Sequence, residues 1–361
     1  MPLQSSFKLV TVIVHLSPRE SILFALRWSV SMRQVLSPIS ESFYTAEQLS
    51  EDDTSFAAAQ FDDALQYYKD NGYVVVRDLL AAAFCSDIKS SFDFTIKNYN
   101  GLLLRHNGKK EANVYNSSGF MMNPLMNIHQ HPNKVIQKYT DRLLSLLTHE
   151  GLAGFAARLL GGAGVGLLTW NQFEGNPETE PHHDCYFWGS DLDIGEVVGA
   201  WIALEDIRPG AGRLYVYPGS HKLNLQDFAN SSEYGDHPLH PGEAPYQELI
   251  VKFLKDSGMA CKAPLLRPGD VLFWDARTIH GSLATITPEY SRASLTAHYS
   301  LDEWRFVSEQ SKHTKLNGVS VVYPSFNLKQ FMSAKFPILR RPYQIVKSWR
   351  IQVRSATRLS D

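Results

Sequence analysis

The sequence predicts a mainly β fold with flanking helices, a double-stranded β-helix (jelly roll) of the cupin kind. Helical periodicity dominates the chain up to Gly161-Gly162, and short β-branched and aromatic runs dominate after it. Those runs are punctuated by turns at Pro209-Gly210, Pro218-Gly219 and Pro268-Gly269-Asp270. Many short strands with regular turns pack most readily as two antiparallel sheets, because each sheet then buries its apolar face against the other.

Apolar residues recur at helical spacing over 56–70 (Phe61, Leu65, Tyr68), and Asn71-Gly72 supplies the stop, since glycine adopts the left-handed turn that ends a helix. Tyr73-Val74-Val75-Val76 is a short strand. Phe84, Ile88 and Phe92 form one stripe of a helix over 81–98. Residues 100–131 lack a period and hold clusters of Asn, Gly and Ser, so they read as one long loop. Within it, Arg105-His106-Asn107-Gly108-Lys109-Lys110 is expected to be solvated, with capture of a carboxylate or phosphate as the other reading. Helices follow at 133–148 and 151–160. Strands are expected at 164–170, 181–187, 196–204, 213–217, 270–274 and 291–299, with an insertion at 222–262 that holds one helix, Tyr246–Lys255. The chain thus divides into an N-terminal extension (1–55), a central domain (56–300) and a basic C-terminal extension (301–361).

With 44% hydrophobic and 20% charged residues and a formal net charge of −2, the chain has no field to gather nucleic acid, and no such partner is expected. No apolar run approaches the roughly 20 residues that cross a bilayer. Cys85, Cys185 and Cys261 have unpatterned spacing, which suits a reducing, cytoplasmic setting rather than a disulfide framework. Lys8, Arg19, Arg27 and Arg33 outnumber the acids of a Ser-containing start, which is also compatible with a mitochondrial presequence. Lys335, Arg340, Arg341, Lys347, Arg350, Arg354 and Arg358 have no acidic counterpart over 335–358. A solvated tail is the simplest reading of that stretch, and contact with a membrane surface the other.

His182-His183-Asp184 contains the one His-x-Asp among the 13 histidines. Alternation on a strand puts His182 and Asp184 on one face and His183 and Cys185 on the other. His280 stands 98 residues beyond His182, after the strand Val271-Leu272-Phe273-Trp274 and a turn that returns the chain across the barrel. Two imidazoles and one carboxylate hold a metal from one side and leave its remaining positions open, the ligand set of non-haem Fe(II) oxygenases. Arg292 and Ser294 share a face of the next strand, and a planar guanidinium suits the far carboxylate of 2-oxoglutarate. In Thr169-Trp170-Asn171-Gln172, either Asn171 or Gln172 is expected to reach that co-substrate, since the two point to opposite faces. Tyr186-Phe187-Trp188 reads as pocket border or core, and Trp201 as core near the site. His221 reads as a hydrogen-bonding turn residue, and the pairs His129/His131 and His237/His240, which lack a third partner, as structural.

Around these residues stand Asn71-Gly72-Tyr73-Val74-Val75-Val76-Arg77-Asp78, Pro181-His182-His183-Asp184, Trp201-Ile202-Ala203-Leu204-Glu205-Asp206 and Pro218-Gly219-Ser220-His221-Lys222. Pro268-Gly269-Asp270, His280-Gly281-Ser282 and Arg292-Ala293-Ser294 complete the pattern. Over about residues 56–300 the chain resembles the phytanoyl-CoA dioxygenase family of Fe(II)/2-oxoglutarate oxygenases. The resemblance implies a double-stranded β-helix, catalytic iron at His182, Asp184 and His280, and 2-oxoglutarate held by Arg292 with Ser294. It implies O2-dependent oxidation, foremost hydroxylation, of an unactivated carbon in a small organic substrate, with release of succinate and CO2. Relatives that halogenate carry a small residue where this chain has Asp184, which favours hydroxylation. Two rival readings use the same residues: a non-oxidative metal-dependent cupin enzyme, and a non-catalytic jelly-roll binding protein. The first has no need for Arg292, and the second would be expected to have lost a ligand.

Overall fold

Period-two alternation of large apolar side chains organises the structure, a computed structural model that describes residues 54–184, 197–223, 244–301 and 312–323. In chain order the elements are β1 (Phe56–Ala57), α1 (Phe61–Asn71), β2 (Tyr73–Arg77), α2 (Ala82–Thr95), β3 (Leu103–Leu104), β4 (Lys110–Glu111) and β5 (Leu125–Met126). Then come α3 (Lys134–Leu147), α4 (Glu150–Leu159), β6 (Val165–Phe173), β7 (Val197–Ala203), β8 (Leu214–Val216) and α5 (Ala244–Ser257). The last are β9 (Val271–Asp275), β10 (His280–Ser282), β11 (Ser294–Leu301), β12 (Lys312–Leu316) and β13 (Val319–Tyr323). All described residues belong to one compact unit.

The main sheet runs β1-β2-β9-β7-β11-β6-β13-β12, with β5 also paired to β6. Its centre is antiparallel, while β1 on β2 and β13 on β6 are parallel. Alternate residues go to opposite faces. Val74, Val76, Val198, Ala200, Ile202, Val271, Phe273, Leu295, Ala297 and Tyr299 face one core with α1 to α4. Tyr73, Val75, Trp201, Ala203, Leu272 and Trp274 face a second core with Leu214 and Val216 of β8. Each such large side chain contributes about 1.5–3 kcal/mol by leaving water, so a one-residue slip of register would expose an entire set. β8 pairs with β10 in a separate small sheet facing that second core.

Local chemistry explains the boundaries. α1 begins at Phe61 rather than at the expected residue 56, because Phe56–Ala57 pairs with β2 and the Gln60 side chain accepts from the Ala57 N–H at 2.9 Å to close a turn. α1 stops where expected: Gly72 has φ 77° and its N–H donates to Tyr68 O at 2.7 Å. The Asn133 side chain accepts from the Val135 and Ile136 N–H groups at the start of α3, a cap worth about 1 kcal/mol. Buried Asp270 accepts from Arg77 Nη1, Asp78 N and Arg267 N at 2.8, 3.0 and 2.9 Å, tying β2 to the Pro268-Gly269-Asp270 turn.

Three expectations need correction. The stretch 100–131 is not one loop: it holds β3, β4, β5 and a 3-10 turn, Ile128–Gln130. Arg105 is not solvated but 1% exposed, because its guanidinium donates to Glu111 O, Asn113 Oδ1 and Asn123 O and so clasps that stretch together. Residues 181–184 do not form a regular strand; they hold one antiparallel bridge, His182 to His280, while the rest of the expected strand, 185–187, lies outside the described residues. Beyond the expected central domain of 56–300, the hairpin β12–β13 joins the main sheet and buries Val319, Val321 and Val322. No helix among the described residues is long and apolar enough to cross a membrane.

Candidate metal centre

His182 and His280 exchange two backbone hydrogen bonds, His182 N to His280 O at 2.9 Å and His280 N to His182 O at 3.0 Å. Residues paired this way project to the same side, so the imidazoles stand together with ring centroids 4.3 Å apart. The bond that each ring makes at its base sets its tautomer. Nδ1 of His182 lies 2.8 Å from Glu180 O, and Nδ1 of His280 lies 2.9 Å from Thr278 O. A carbonyl only accepts, so both Nδ1 atoms carry the hydrogen and both Nε2 atoms present a lone pair.

Those lone pairs converge on Asp184: His182 Nε2 is 3.7 Å from Oδ1 and His280 Nε2 is 3.6 Å from Oδ2. One ligand atom from each of the three residues lies within 4.8 Å of the others. Asp184 is buried, and burial alone would raise its pKa; the imidazoles of His280, His298 and His182, each favouring the ionised carboxylate when protonated, and the hydrogen bond from His298 outweigh this and hold the carboxyl well below the usual range. Two imidazole nitrogens plus a carboxylate fit a divalent metal, and among the described residues this is the one group of His, Cys, Asp and Glu placed to hold it.

Motif residues far from the cluster hold His280 in place. Thr278 Oγ1 donates to Gly72 O at 2.7 Å, and Ile279 N donates to Ser220 Oγ at 2.8 Å. His221 Nε2 lies 3.0 Å from Lys69 O, and a side chain at Gly72 would overlap both His221 and Thr278. His221 is thus the turn residue expected from the sequence, and the Asn71-Gly72 and Pro218-Gly219-Ser220-His221 motifs meet behind the metal ligand.

The cavity beside the cluster is lined by His106, Asn171, Phe173, Trp201, Leu214 and Arg292 among others. Arg292 is 2% exposed; its Nη1 donates to Gly212 O at 3.1 Å, its carbon lies 5.2 Å from the Phe173 ring centroid, and its buried Nε has no hydrogen-bond partner. Burial lowers its pKa to about 10, so it stays charged, and an orphaned buried N–H on a cation is a place for an anion. Ser294 is buried too, but its hydroxyl donates to Arg292 O at 3.1 Å. Register decides between Asn171 and Gln172. Asn171 lines the cavity, donating from Nδ2 to Thr296 Oγ1 at 3.2 Å with Oδ1 left unpartnered, whereas Gln172 turns to Tyr139.

Two residues at the cluster were not singled out from the sequence: Trp274 Nε1 donates to Asp184 Oδ2 at 2.7 Å, and His298 Nε2 lies 3.0 Å from the same oxygen. The period-two row Ser294, Thr296, His298, Ser300 in β11 was the available signal. His129 accepts the Trp170 indole N–H at Nδ1, 3.0 Å away, in line with a structural role. His183 is buried. Cys185, Tyr186, Phe187, Trp188, His237 and His240 lie outside the described residues.

A family model described as phytanoyl-CoA dioxygenase (PhyH) matches residues 68–294, more than half of the chain and all of the cluster. The chain belongs to the phytanoyl-CoA dioxygenase family. No curated protein matches it. Among solved structures it is similar to the non-haem α-ketoglutarate-dependent epimerase SnoN from nogalamycin biosynthesis, with 19% identity over 73% of this chain and 98% of that one, TM-score 0.49. It is similar to the carbocyclase SnoK from the same biosynthesis, with 21% identity over 72% and 86%, TM-score 0.48. It is similar to EctD from S. alaskensis, solved with 2-oxoglutarate and 5-hydroxyectoine, with 18% identity over 77% and 84%, TM-score 0.47. In this phytanoyl-CoA dioxygenase family chain the matched region runs from α1 to the start of β11, so the hairpin β12–β13 lies beyond it.

The buried imidazoles make acid stability a direct readout of the arrangement. Burial lowers the pKa of His182 to about 4, of His183 to about 3 and of His129 to about 4, the crowding of His182, His183 and His280 adding to the first two because two rings so close resist protonation together. Unfolded histidine titrates near 6.5, so between 6.5 and 4 the unfolded chain binds protons that the folded chain does not. Stability of the metal-free protein is therefore expected to be full above pH 6.5 and to fall as pH drops toward 4, by about 1.4 kcal/mol per pH unit for each such imidazole. Chemical denaturation midpoints measured from pH 7 to pH 4 check this; a flat profile would mean these rings are not neutral and buried.

Proposed function

We propose that this protein is a non-haem Fe(II)/2-oxoglutarate-dependent dioxygenase that oxidises, by hydroxylation, an unactivated carbon of a small organic substrate. The observation that carries the reading is one cavity holding both the His182/Asp184/His280 donor set and the unpartnered Nε of buried Arg292. His182, Asp184 and His280 would hold the iron, and Arg292 the far carboxylate of 2-oxoglutarate. Asn171, with Oδ1 free and Nδ2 on Thr296, lies on the same wall and supplies a further polar contact. When bound, the metal and co-substrate supply the oxidising power drawn from O2, with release of succinate and CO2.

The chain's own residues orient and exclude. The Glu180 and Thr278 carbonyls fix both imidazole tautomers, so neither ligand must shed a proton to bind metal. Phe173, Trp201, Leu214 and Trp274 make an apolar wall that keeps bulk water from the reacting carbon. On this reading the two sheets are the jelly roll expected from the sequence, the catalytic domain is 56–300, and the hairpin β12–β13 braces it from the C-terminal extension. A non-oxidative metal enzyme would leave the buried guanidinium without a use.

The test is anaerobic mixing of purified protein with Fe(II) and 2-oxoglutarate, watched for a visible metal-to-ligand charge-transfer band. The band should appear only when both are present. Folded, metal-loaded protein without a band would mean that 2-oxoglutarate does not chelate this metal, and the reading would fall.

A further inference from the structure

Three strands of the main sheet place His298, Gly199 and Trp274 in one row. His298 of β11 is registered with Gly199 of β7, and Gly199 with Trp274 of β9, so all three share a face. The middle position has no side chain. A Cβ at Gly199 would overlap the Trp274 indole, so only glycine lets that ring lie across β7. The ring then meets His298 edge to face, with centroids 5.7 Å apart and planes at 89°. A register shift between His298 and Tyr299 in the pairing with β6 falls beside this row, the kind of bulge that re-aims a side chain.

Asp184 sits over the row. Trp274 Nε1 donates to Oδ2 at 2.7 Å, and His298 Nε2 lies 3.0 Å from the same oxygen; a carboxylate only accepts, so Nε2 carries the hydrogen and donates too. Oδ2 thus takes two donors and lies 3.6 Å from His280 Nε2, while Oδ1 lies 3.7 Å from His182 Nε2. We infer that the His298–Gly199–Trp274 row is a positioning device for Asp184: its two donors hold Oδ2 and so fix the carboxylate against the His182 and His280 Nε2 atoms. This rests on the reading that His182, Asp184 and His280 hold a divalent metal. Two fixed donors remove the rotation about the carboxylate's χ2, which is otherwise broad, and an oriented ligand binds without that entropy cost.

The probe is Mn(II) alone, titrated into the purified full-length chain, with its Kd read from the electron paramagnetic resonance signal of the free ion. His298→Leu should weaken binding by about 10- to 100-fold, as lost outer-shell partners do. Gly199→Ala should weaken it as well, although it touches neither ligand nor donor atom except through the indole. His298→Gln, whose amide N–H can replace Nε2–H, should bind within a few-fold of wild type. If wild type binds Mn(II) while folded His298→Leu and Gly199→Ala bind it equally well, the row is structural only and the inference is overturned. It is overturned as well if the variants merely lower the melting temperature of metal-free protein, or if His298→Gln binds no better than His298→Leu. Should His298→Leu not fold, Trp274→Phe, which removes the indole N–H and keeps an aromatic ring, decides in its place. Wild type that binds no Mn(II) would sink the metal reading itself, a result distinct from unequal donors.

Discussion

Asp184→Ala is expected to leave folded protein with no measurable iron-dependent turnover and metal affinity reduced beyond the roughly 10- to 100-fold that a lost outer-shell partner costs. Asp184 is the one charged donor of the three, and its surroundings keep it ionised. Alanine removes that charge and also leaves Trp274 Nε1–H and His298 Nε2–H, both on Oδ2, without an acceptor. Each unsatisfied buried group costs about 1–3 kcal/mol, so the metal-free variant should melt at a lower temperature as well. Asp184→Asn separates the two losses. Its side-chain oxygen still accepts from the row, so thermal stability should largely return, while the missing charge keeps metal binding weak. Calorimetric titration with metal, next to thermal unfolding of the metal-free forms, checks both; unchanged affinity in Asp184→Ala would remove this residue from the ligand set.

Arg292→Ala is expected to raise the 2-oxoglutarate requirement while leaving metal binding in place. Truncating one partner of a buried, hydrogen-bonded charge pair costs about 2–5 kcal/mol, which is roughly thirty- to several-thousand-fold in affinity. The effect belongs at the strong end because Arg292 is buried and its Nε has no partner within the protein to absorb the loss of a ligand. Arg292→Lys should recover only part, since an ammonium keeps the charge but not the planar fork, and must reach past the Phe173 ring. The readout is the 2-oxoglutarate concentration that half-saturates the charge-transfer band, at constant Fe(II). An unchanged half-saturation point would show that Arg292 does not hold the co-substrate.

Much of this was legible without coordinates. Asn71-Gly72 as a helix stop, alternation in β2, β7 and β9, and the Pro-Gly turns are local signals, and the elements formed close to where they were expected. The His182/Asp184/His280 group was legible as well, because one His-x-Asp is rare and its third member follows a strand and a turn. Other features were hidden because they depend on partners far along the chain. Arg105 lies among polar, loop-like residues, and only the fold shows three oxygens waiting for its guanidinium. The hairpin β12–β13 lies beyond the stretch that carries the family motifs, and it pairs with β6 about 150 residues earlier in sequence.

By itself the sequence determined the family, the sheet-rich class with helices on its flank, and which residue types could assemble a metal site, since periodicity and motif spacing are properties of neighbouring residues. Only the tertiary structure decided which atoms face which. Cross-strand register chose Asn171 over Gln172 for the cavity, set both imidazole tautomers through the Glu180 and Thr278 carbonyls, and brought His298 and Trp274 together across Gly199. Register is a sum of many weak long-range pairings, and a single side chain's surroundings follow from that sum rather than from its own position in the chain.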